Sequence, residues 1–390
     1  MLTEKIKPRI SRKRRRNTLR MIIVREQIEG YLFIFPAAII IFVFGLFPIG
    51  YSLYMSMQQW IINRTAFVGG ANYVKLFGSW NNFALTVLGI IFFVTAFILW
   101  TKGFRAKRLG VRLGHLVSAV VLLIGGAIFT TGWSQMSKTG DPAFLRSLVV
   151  TLYYALASVP LQILIGMFIA YLLYQDIKGK DLFRLVFFLP YVLPSVATAV
   201  VFQIIFSKNE YSFANQVLAF FGVNALRWTY EPKTILALLG INYKGFLAGP
   251  SLALITIVIF GLWTFIGYNV VIFLAGLGNI PKETYEAAEM DGATKSQMFW
   301  KITMPLLSPV TFYLTLISFI GTFKAFNHIF VMRTTAAKAT VTTTSLLIFD
   351  RFYTDGNYGI ATAMSIVLFL VILGLTFAQN QIMKERVFYG

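Results

Sequence analysis

The stretch PKETYEAAEMDGATKSQMFWKITMP, residues 281–305, decides how the rest of the chain is read. It is a polar, amphipathic insert in a second half that is otherwise strongly apolar. Pro281 suits a first helical turn, where its missing N–H would have no intrahelical partner anyway. Lys282 and Glu286 lie four apart and share a helix face. Asp291-Gly292 breaks the run, because glycine adopts the left-handed conformation that ends helices at little cost. Thr294, with Gln297 three residues on, forms a capping-box pattern that starts a second helix. Met298, Phe299 and Ile302 give that helix an apolar stripe, and Pro305 marks its junction with the next apolar run. Spacing alone predicts either a solvated connection or a helix–turn–helix that docks on something.

Outward from this insert, composition sets the class. The 390 residues are 57% hydrophobic and only 13% charged, which together with long uncharged runs predicts a multi-pass membrane protein. The fold class that follows is all-α, a polytopic transmembrane helical bundle of about 8 spans. Apolar runs lie at 31–57, 83–100, 112–132, 147–174, 184–206, 251–276, 305–327 and 359–380. Each is close to the roughly 20 residues that cross an apolar layer about 30 Å thick. Gly45, Pro48 and Gly50 predict a kink or an end late in the first run. There are no cysteines, which removes disulfides and thiolate metal sites, and His115 and His328 have no metal-ligand spacing.

The net charge of +20 does not indicate nucleic acid. Ten of the 35 basic residues fall in the first 25 positions, and most others cluster in short loops between spans. That is the distribution of cytoplasmic loops in a membrane protein. Loops 101–111 and 175–183, the 281–305 insert and both termini come out cytoplasmic, in a cell membrane, with the basic 12–16 segment near anionic lipid headgroups. The 44-residue connection 207–250 comes out external. Its FANQVLAFFG segment reads as an interfacial helix, with Trp228 and Tyr230 at headgroup depth.

The residues Glu286-Ala287-Ala288, Gly292, Ile302 and Pro305, at their spacing, resemble the EAA loop of ABC-importer permeases; Met304 stands where that family usually has leucine. The resemblance extends to residues 31–80 and 141–380 through FVGGANYVKLF (67–77), VPLQILIGMFIAYLL (159–173), LFRLVFFLPYVLPSV (182–196) and GYNVVIFLAGLGNIP (267–281). These look like the sugar-importer branch, similar to the maltose-transporter permease family, and imply the type I importer permease fold. The implied organisation is a basic tail (1–30), a first span and external loop (31–82), an inserted two-span hairpin (83–132) and a core permease region (141–390). The resemblance also implies a coupling loop, with Glu286, Ala287, Ala288, Asp291, Gly292, Ile302 and Pro305 docking into an ATPase subunit. The implied partners are a second permease forming a heterodimer, two ATPase subunits, an extracellular solute-binding protein and membrane lipid.

The chemistry in the chain is consistent with that division of labour. The nearest approach to a phosphate-binding loop, Gly240 to Gly245, is followed by Phe246 where lysine is needed. ATP and magnesium are therefore expected on the ATPase subunits, with no cofactor on this chain and no enzymatic activity of its own. The spans contain no Asp or Glu, and Lys324 is the one clear charge at possible depth. This disfavours a proton- or sodium-coupled carrier or a channel, the main alternative from another class. A pathway for a sugar or related polyol needs uncharged hydrogen-bonding groups and aromatic faces. The candidates are Gln203, Trp263, Tyr268, Asn269, Ser318, Thr322 and Asn327, with Lys324. Ser318 and Thr322 are four apart and share a face. Such residues also join membrane helices to one another. Thr322 and Ala325 fall where the maltose permease has asparagine, so the solute is left open, glycerol phosphate included.

Overall fold

The structure, a computed structural model, describes residues 12–103, 108–175, 177–243 and 245–383. The described residues up to Met55 and those from Ser56 onward form two separate compact units. In the first, helix α1 (Arg12–Ile41) runs through a π-helical turn (Phe42–Leu46) into α2 (Phe47–Ser56). Gly45, Pro48 and Gly50 therefore do not end the helix. The wider π turn lies over the position where the Pro48 ring would meet the carbonyl of the preceding turn, and it absorbs the mismatch.

The second unit opens with an antiparallel hairpin, β1 (Gln58–Ile61) and β2 (Asn63–Phe67), and the short α3 (Ala71–Phe77). Asn72 donates to the carbonyls of Ser56 and Gln58, both at 2.9 Å, and ties α3 to the hairpin. The inserted region then forms two helices longer than their apolar runs, α4 (Trp80–Gly103) and α5 (Arg108–Thr139). They pack against each other through Phe93 and Phe129, edge to face at 5.7 Å, and through the Thr86 hydroxyl on Met136 Sδ at 3.0 Å.

The helices α6 (Pro142–Tyr174) and α11 (Leu252–Gly278) form the core of this unit. At 1.5 Å per residue they are about 50 and 40 Å long. Asp141 caps α6 by accepting from the N–H groups of Ala143 and Phe144 at 2.8 and 3.1 Å. Buried positions on α6 recur every three or four residues, from Ser147 through Thr151, Tyr154, Ser158, Gln162 and Gly166 to Leu173. One stripe of this helix therefore faces the interior.

Between them the chain forms α7 (Lys180–Val192), α8 (Ser195–Ile205), α9 (Phe213–Phe220) and the four-residue α10 (Ile235–Leu238). The 184–206 run is not one straight span: α7 and α8 meet at 97°. Leu193 precedes Pro194 and takes the extended conformation (ψ 146°) that a following proline imposes. The α7 backbone lies directly on α11, where a Cβ at Gly267 would collide with the carbonyl oxygen of Phe187. Only glycine allows that approach.

Beyond α11 the chain continues as α12 (Lys282–Met290), α13 (Lys295–Met298), a π-helical turn (Phe299–Thr303), α14 (Met304–Leu306) and α15 (Ser308–Phe323). The junction expected at Pro305 falls at Leu307, where the chain bends by 62°, and Pro309 occupies the first turn of α15. The 305–327 run is correspondingly shorter as a helix, ending at Phe323, and Asn327 begins a new one. That is α16 (Asn327–Met332), followed by α17 (Lys338–Val341), α18 (Thr344–Phe349), a π turn (Asp350–Thr354) and α19 (Tyr358–Met383). Among the described residues, six helices are long and apolar enough to cross a membrane, and eight segments are if each bent pair counts as one span.

Candidate functional site

A cavity of about 410 Å³ opens where α6, α11 and α15 meet the α7–α8 break and the start of α16. Five of the pathway candidates line it: Tyr268, Asn269, Ser318, Thr322 and Asn327. Ser318 and Thr322 do so from one face of α15. Gln203, Trp263 and Lys324 are not in its wall. Trp263 lies against Phe202 of α8 at 5.0 Å, and Lys324 is an exposed residue at the C-terminus of α15.

The wall carries polar groups that sequence reasoning did not single out. From α6 come Tyr154 and Gln162, from α11 Thr264, and from α16 His328. Tyr154 Oη and Nε2 of His328 share a hydrogen bond of 2.8 Å, and the imidazole stacks on Phe260 at 5.2 Å. Tyr191, held at the α7–α8 break, stacks on Tyr268 at 5.0 Å with 28° between the rings. The signal for Gln162 was present, since it is an amide within the apolar run 147–174. Tyr154, Ser158 and Gln162 repeat every four residues and so fall on one helix face.

Gln162, Thr264 and Asn269 are 2%, 4% and 1% exposed, yet Gln162 Nε2, Thr264 Oγ1 and Asn269 Nδ2 have no hydrogen-bond partner among the described residues. A buried polar group left unpaired costs about 1–3 kcal/mol. Three on one cavity wall mark a place where hydrogen-bonding groups from outside the chain would be stabilising. No lining residue is Lys, Arg, Asp or Glu.

The 281–305 segment lies beyond the C-terminal ends of α6 and α11, so the full length of those helices separates it from Asp141. Pro281 is the cap of α12 and Lys282 its first residue, one position later than the sequence suggested. The helix ends as expected at Asp291. Gly292 takes φ +77°, and the N–H groups of Gly292 and Ala293 donate to the carbonyls of Glu289 (3.0 Å) and Ala288 (2.9 Å). Thr294 and Gln297 form the reciprocal capping box that opens α13, with Thr294 N–H donating to Gln297 Oε1 at 2.8 Å.

The face of α12 carrying Glu283, Glu286, Ala287 and Met290 is exposed, while Tyr285 and Ala288 turn inward. Asp291, Gly292 and Pro305 are exposed, and Ile302 is half-buried. Met290 and Trp300 are large apolar side chains 88% and 60% exposed, with the Trp300 ring edge-on to Phe299 at 5.1 Å.

Underneath, a contact that the sequence did not flag joins α12 to the π turn that follows α13. Tyr285 Oη and Thr303 Oγ1 lie 3.0 Å apart, and the Thr303 hydroxyl also donates to the Met298 carbonyl at 3.3 Å. Burial raises the Tyr285 phenol above its ordinary pKa, and the Thr303 hydrogen bond offsets part of that rise. Tyr285 is therefore neutral at physiological pH. Tyr171, near the end of α6, packs edge-on against Phe299 at 4.7 Å, which sets the π turn on the end of the core helix.

The chain is similar to known proteins. The model of the family described as "binding-protein-dependent transport system inner membrane component" matches residues 162–387. The arabinooligosaccharides transport system permease protein AraP of Halalkalibacterium halodurans is 30% identical over 272 residues, covering 67% of this chain and 79% of that protein. The sn-glycerol-3-phosphate transport system permease protein UgpA of Rhizobium meliloti is 27% identical over 310 residues, covering 78% and 93%. Among solved structures, a bacterial alginate ABC transporter in complex with an alginate pentasaccharide-bound periplasmic protein aligns with a TM-score of 0.55. That alignment has 19% identity and covers 75% of this chain and 99% of the matched one, a likeness of fold. With more than half its length inside the family model, and with the 281–305 insert and every cavity-lining residue except Tyr154 within that match, the chain belongs to the inner membrane components of binding-protein-dependent ABC transport systems, as a permease subunit.

Proposed function

We propose that this permease imports a neutral sugar or related polyol through the cavity between α6, α11 and α15. One observation carries the reading. The wall is free of formal charge, offers three unpaired buried polar groups, and presents the stacked Tyr191–Tyr268 pair as an aromatic face. Hydroxyl groups of a sugar pair with amides and hydroxyls, and its C–H faces lie against tyrosine rings. A glycerol phosphate or an acidic saccharide would leave its anion without a cation on this wall, and burying an unpaired charge is far costlier than burying a hydroxyl.

Movement is by alternating access. ATP binding and hydrolysis on two separate ATPase subunits act through the exposed α12 face, with Glu286, Ala287, Asp291 and Gly292 as its contact points. Ala288, Ile302 and Pro305 hold the loop's shape. A solute-binding protein delivers the sugar at the opposite face, and a second permease completes the pathway. The 281–305 loop and both termini are on the cytoplasmic side, as the basic loops require. The α4–α5 hairpin contacts lipid laterally through side chains such as Ile91 and Leu123, 54% and 73% exposed. Inverting the access equilibrium from 1:99 to 99:1 takes about 5.5 kcal/mol, which ATP supplies.

The test is competition of ATP-driven uptake in proteoliposomes by panels of neutral oligosaccharides, uronic-acid oligosaccharides and glycerol phosphate. Competition by neutral sugars alone supports the reading. Competition by the anionic panels alone refutes it.

A further inference from the structure

The connection between α8 and α11 contains a helix whose amphipathicity is inverted with respect to water. From Tyr211 to Leu226 the chain has no charged residue. Within it, α9 turns its small and polar side inward, with Ala214 and Asn215 only 8% and 1% exposed. Its outer face carries Phe213, Val217 and Phe220, with Phe221 following, at 66%, 43%, 86% and 72% exposed. Positions 213, 217 and 220 are spaced to lie on one face of a helix.

This orientation is fixed by one buried side chain. Asn215 Nδ2 donates to the carbonyls of Asn209 (2.8 Å) and Leu226 (3.1 Å). Its Oδ1 accepts from Leu226 N–H (3.0 Å) and Trp228 Nε1–H (2.7 Å). Every donor and acceptor of the amide is used, so turning the aromatic face inward would break four hydrogen bonds at once.

The height of α9 is fixed too. Phe206, just past α8, packs edge-on against Trp228 at 5.1 Å, and its carbonyl accepts from the Thr229 hydroxyl at 3.2 Å. The Glu231 carbonyl accepts from Ala253 N–H, in the first turn of α11. The connection is thus stapled to the ends of two apolar helices, α8 and α11. Tyr230 lies under the Lys208 ammonium at 5.3 Å. Tryptophan and tyrosine concentrate at the membrane–water interface.

We propose that α9 is an interfacial anchor. Its Phe213–Val217–Phe220 face, with Phe221, lies in the lipid boundary on the side of the membrane opposite the 281–305 loop and holds that end of the α7–α8 bend and the cavity mouth in register with the bilayer. The proposal rests on the membrane-permease reading above. The occupant is lipid because the face is uncharged, apolar and level with the span ends. A periplasmic partner or the second permease would be the alternative cover.

The chain has no native cysteine, so single cysteines report cleanly. The importer, assembled in lipid nanodiscs, is labelled with an environment-sensitive fluorophore at Phe213→Cys or Phe220→Cys. Ile91→Cys on α4 serves as the lipid-facing reference and Lys338→Cys as the aqueous one. The labels on α9 are expected to emit to the blue of the Lys338→Cys label. Lipids brominated near the glycerol should quench them several-fold more strongly than lipids brominated near the chain ends, with little effect from aqueous iodide. Quenching by iodide without quenching by brominated lipid overturns the proposal in favour of water, and quenching by neither overturns it in favour of a protein cover. If Ile91→Cys also escapes the brominated lipids, the membrane reading itself fails.

Discussion

Replacing Gly292 tests whether the turn between α12 and α13 transmits force. The residue sits at φ +77°, and beyond its two chain neighbours no described atom lies within 4 Å of where its Cβ would be. A side chain there meets no neighbour, so its whole cost is backbone strain. For an L residue that cost is about 1–2 kcal/mol, a roughly 5- to 30-fold depletion of the native turn. Asparagine tolerates the left-handed region and should cost least, alanine more, and β-branched valine most. Relief comes by unwinding the turn, which loses the Gly292 and Ala293 hydrogen bonds to Glu289 and Ala288 and tilts α12 away from α13. The assay is ATP hydrolysis stimulated by solute-loaded binding protein in proteoliposomes, with the bound ATPase subunit quantified. The expected order of loss is Gly292→Asn, then Gly292→Ala, then Gly292→Val, with unstimulated hydrolysis little changed. If Gly292→Val is stimulated like wild type, the turn does not transmit coupling. If Gly292→Asn is as defective as Gly292→Val, backbone strain is not the cause.

Four further outcomes follow from the same geometry. Tyr285→Phe removes the bridge to Thr303 and should cost about 1 kcal/mol of loop rigidity, seen as weaker coupling of hydrolysis to uptake with the ATPase still bound; unchanged coupling would make the bridge incidental. Asn269→Leu removes an unpaired buried amide, so the purified complex should melt no lower than wild type, whereas KM for the solute should rise about tenfold if a hydrogen bond worth about 1.4 kcal/mol is lost; an unchanged KM places the solute elsewhere. Arg333 forks onto Asp350 at 2.6 and 3.1 Å with both side chains largely buried, so Asp350→Asn should destabilise the fold by about 3 kcal/mol, read as a clear drop in melting temperature in detergent. Cysteines at Lys107, Lys180 and Thr294 should label from the cytoplasmic side, and those at Ala71, Gln135, Val223 and Lys338 from outside; external labelling at Lys107 would remove the α4–α5 hairpin from the membrane.

The 281–305 insert was legible almost residue by residue because its signals are local. A capping box, a helix-ending glycine and a proline each act within four residues; the structure moves Pro281 by one position and the junction from Pro305 to Leu307, and turns the second helix into a π turn after Met298. The spans were legible as lengths of apolar chain, but their bends were not. Hydropathy is blind to direction, so 184–206 read as one crossing although Pro194 turns it through 97°. The cavity was legible only in part. Ser318 and Thr322 share a helix face, which spacing reveals, whereas the meeting of Tyr154 with His328, 174 positions away, exists only once α6 and α16 pack. Gln203, Trp263 and Lys324 had the right chemistry, but helix rotation kept them out of the wall, and a single sequence carries no signal for rotation. The hairpin β1–β2 was missed because a mixed aromatic loop has no apolar alternation long enough to announce a strand.

The central claim is that this chain moves solute only when driven by ATP hydrolysed elsewhere. It is tested most directly by solute uptake into proteoliposomes holding the purified chain alone, and then the chain with its co-purifying ATPase and second permease. The account predicts no uptake and no ATP hydrolysis from the chain alone, and ATP-dependent uptake that requires the binding protein once the complex is restored. ATP-independent uptake by the chain alone would contradict it.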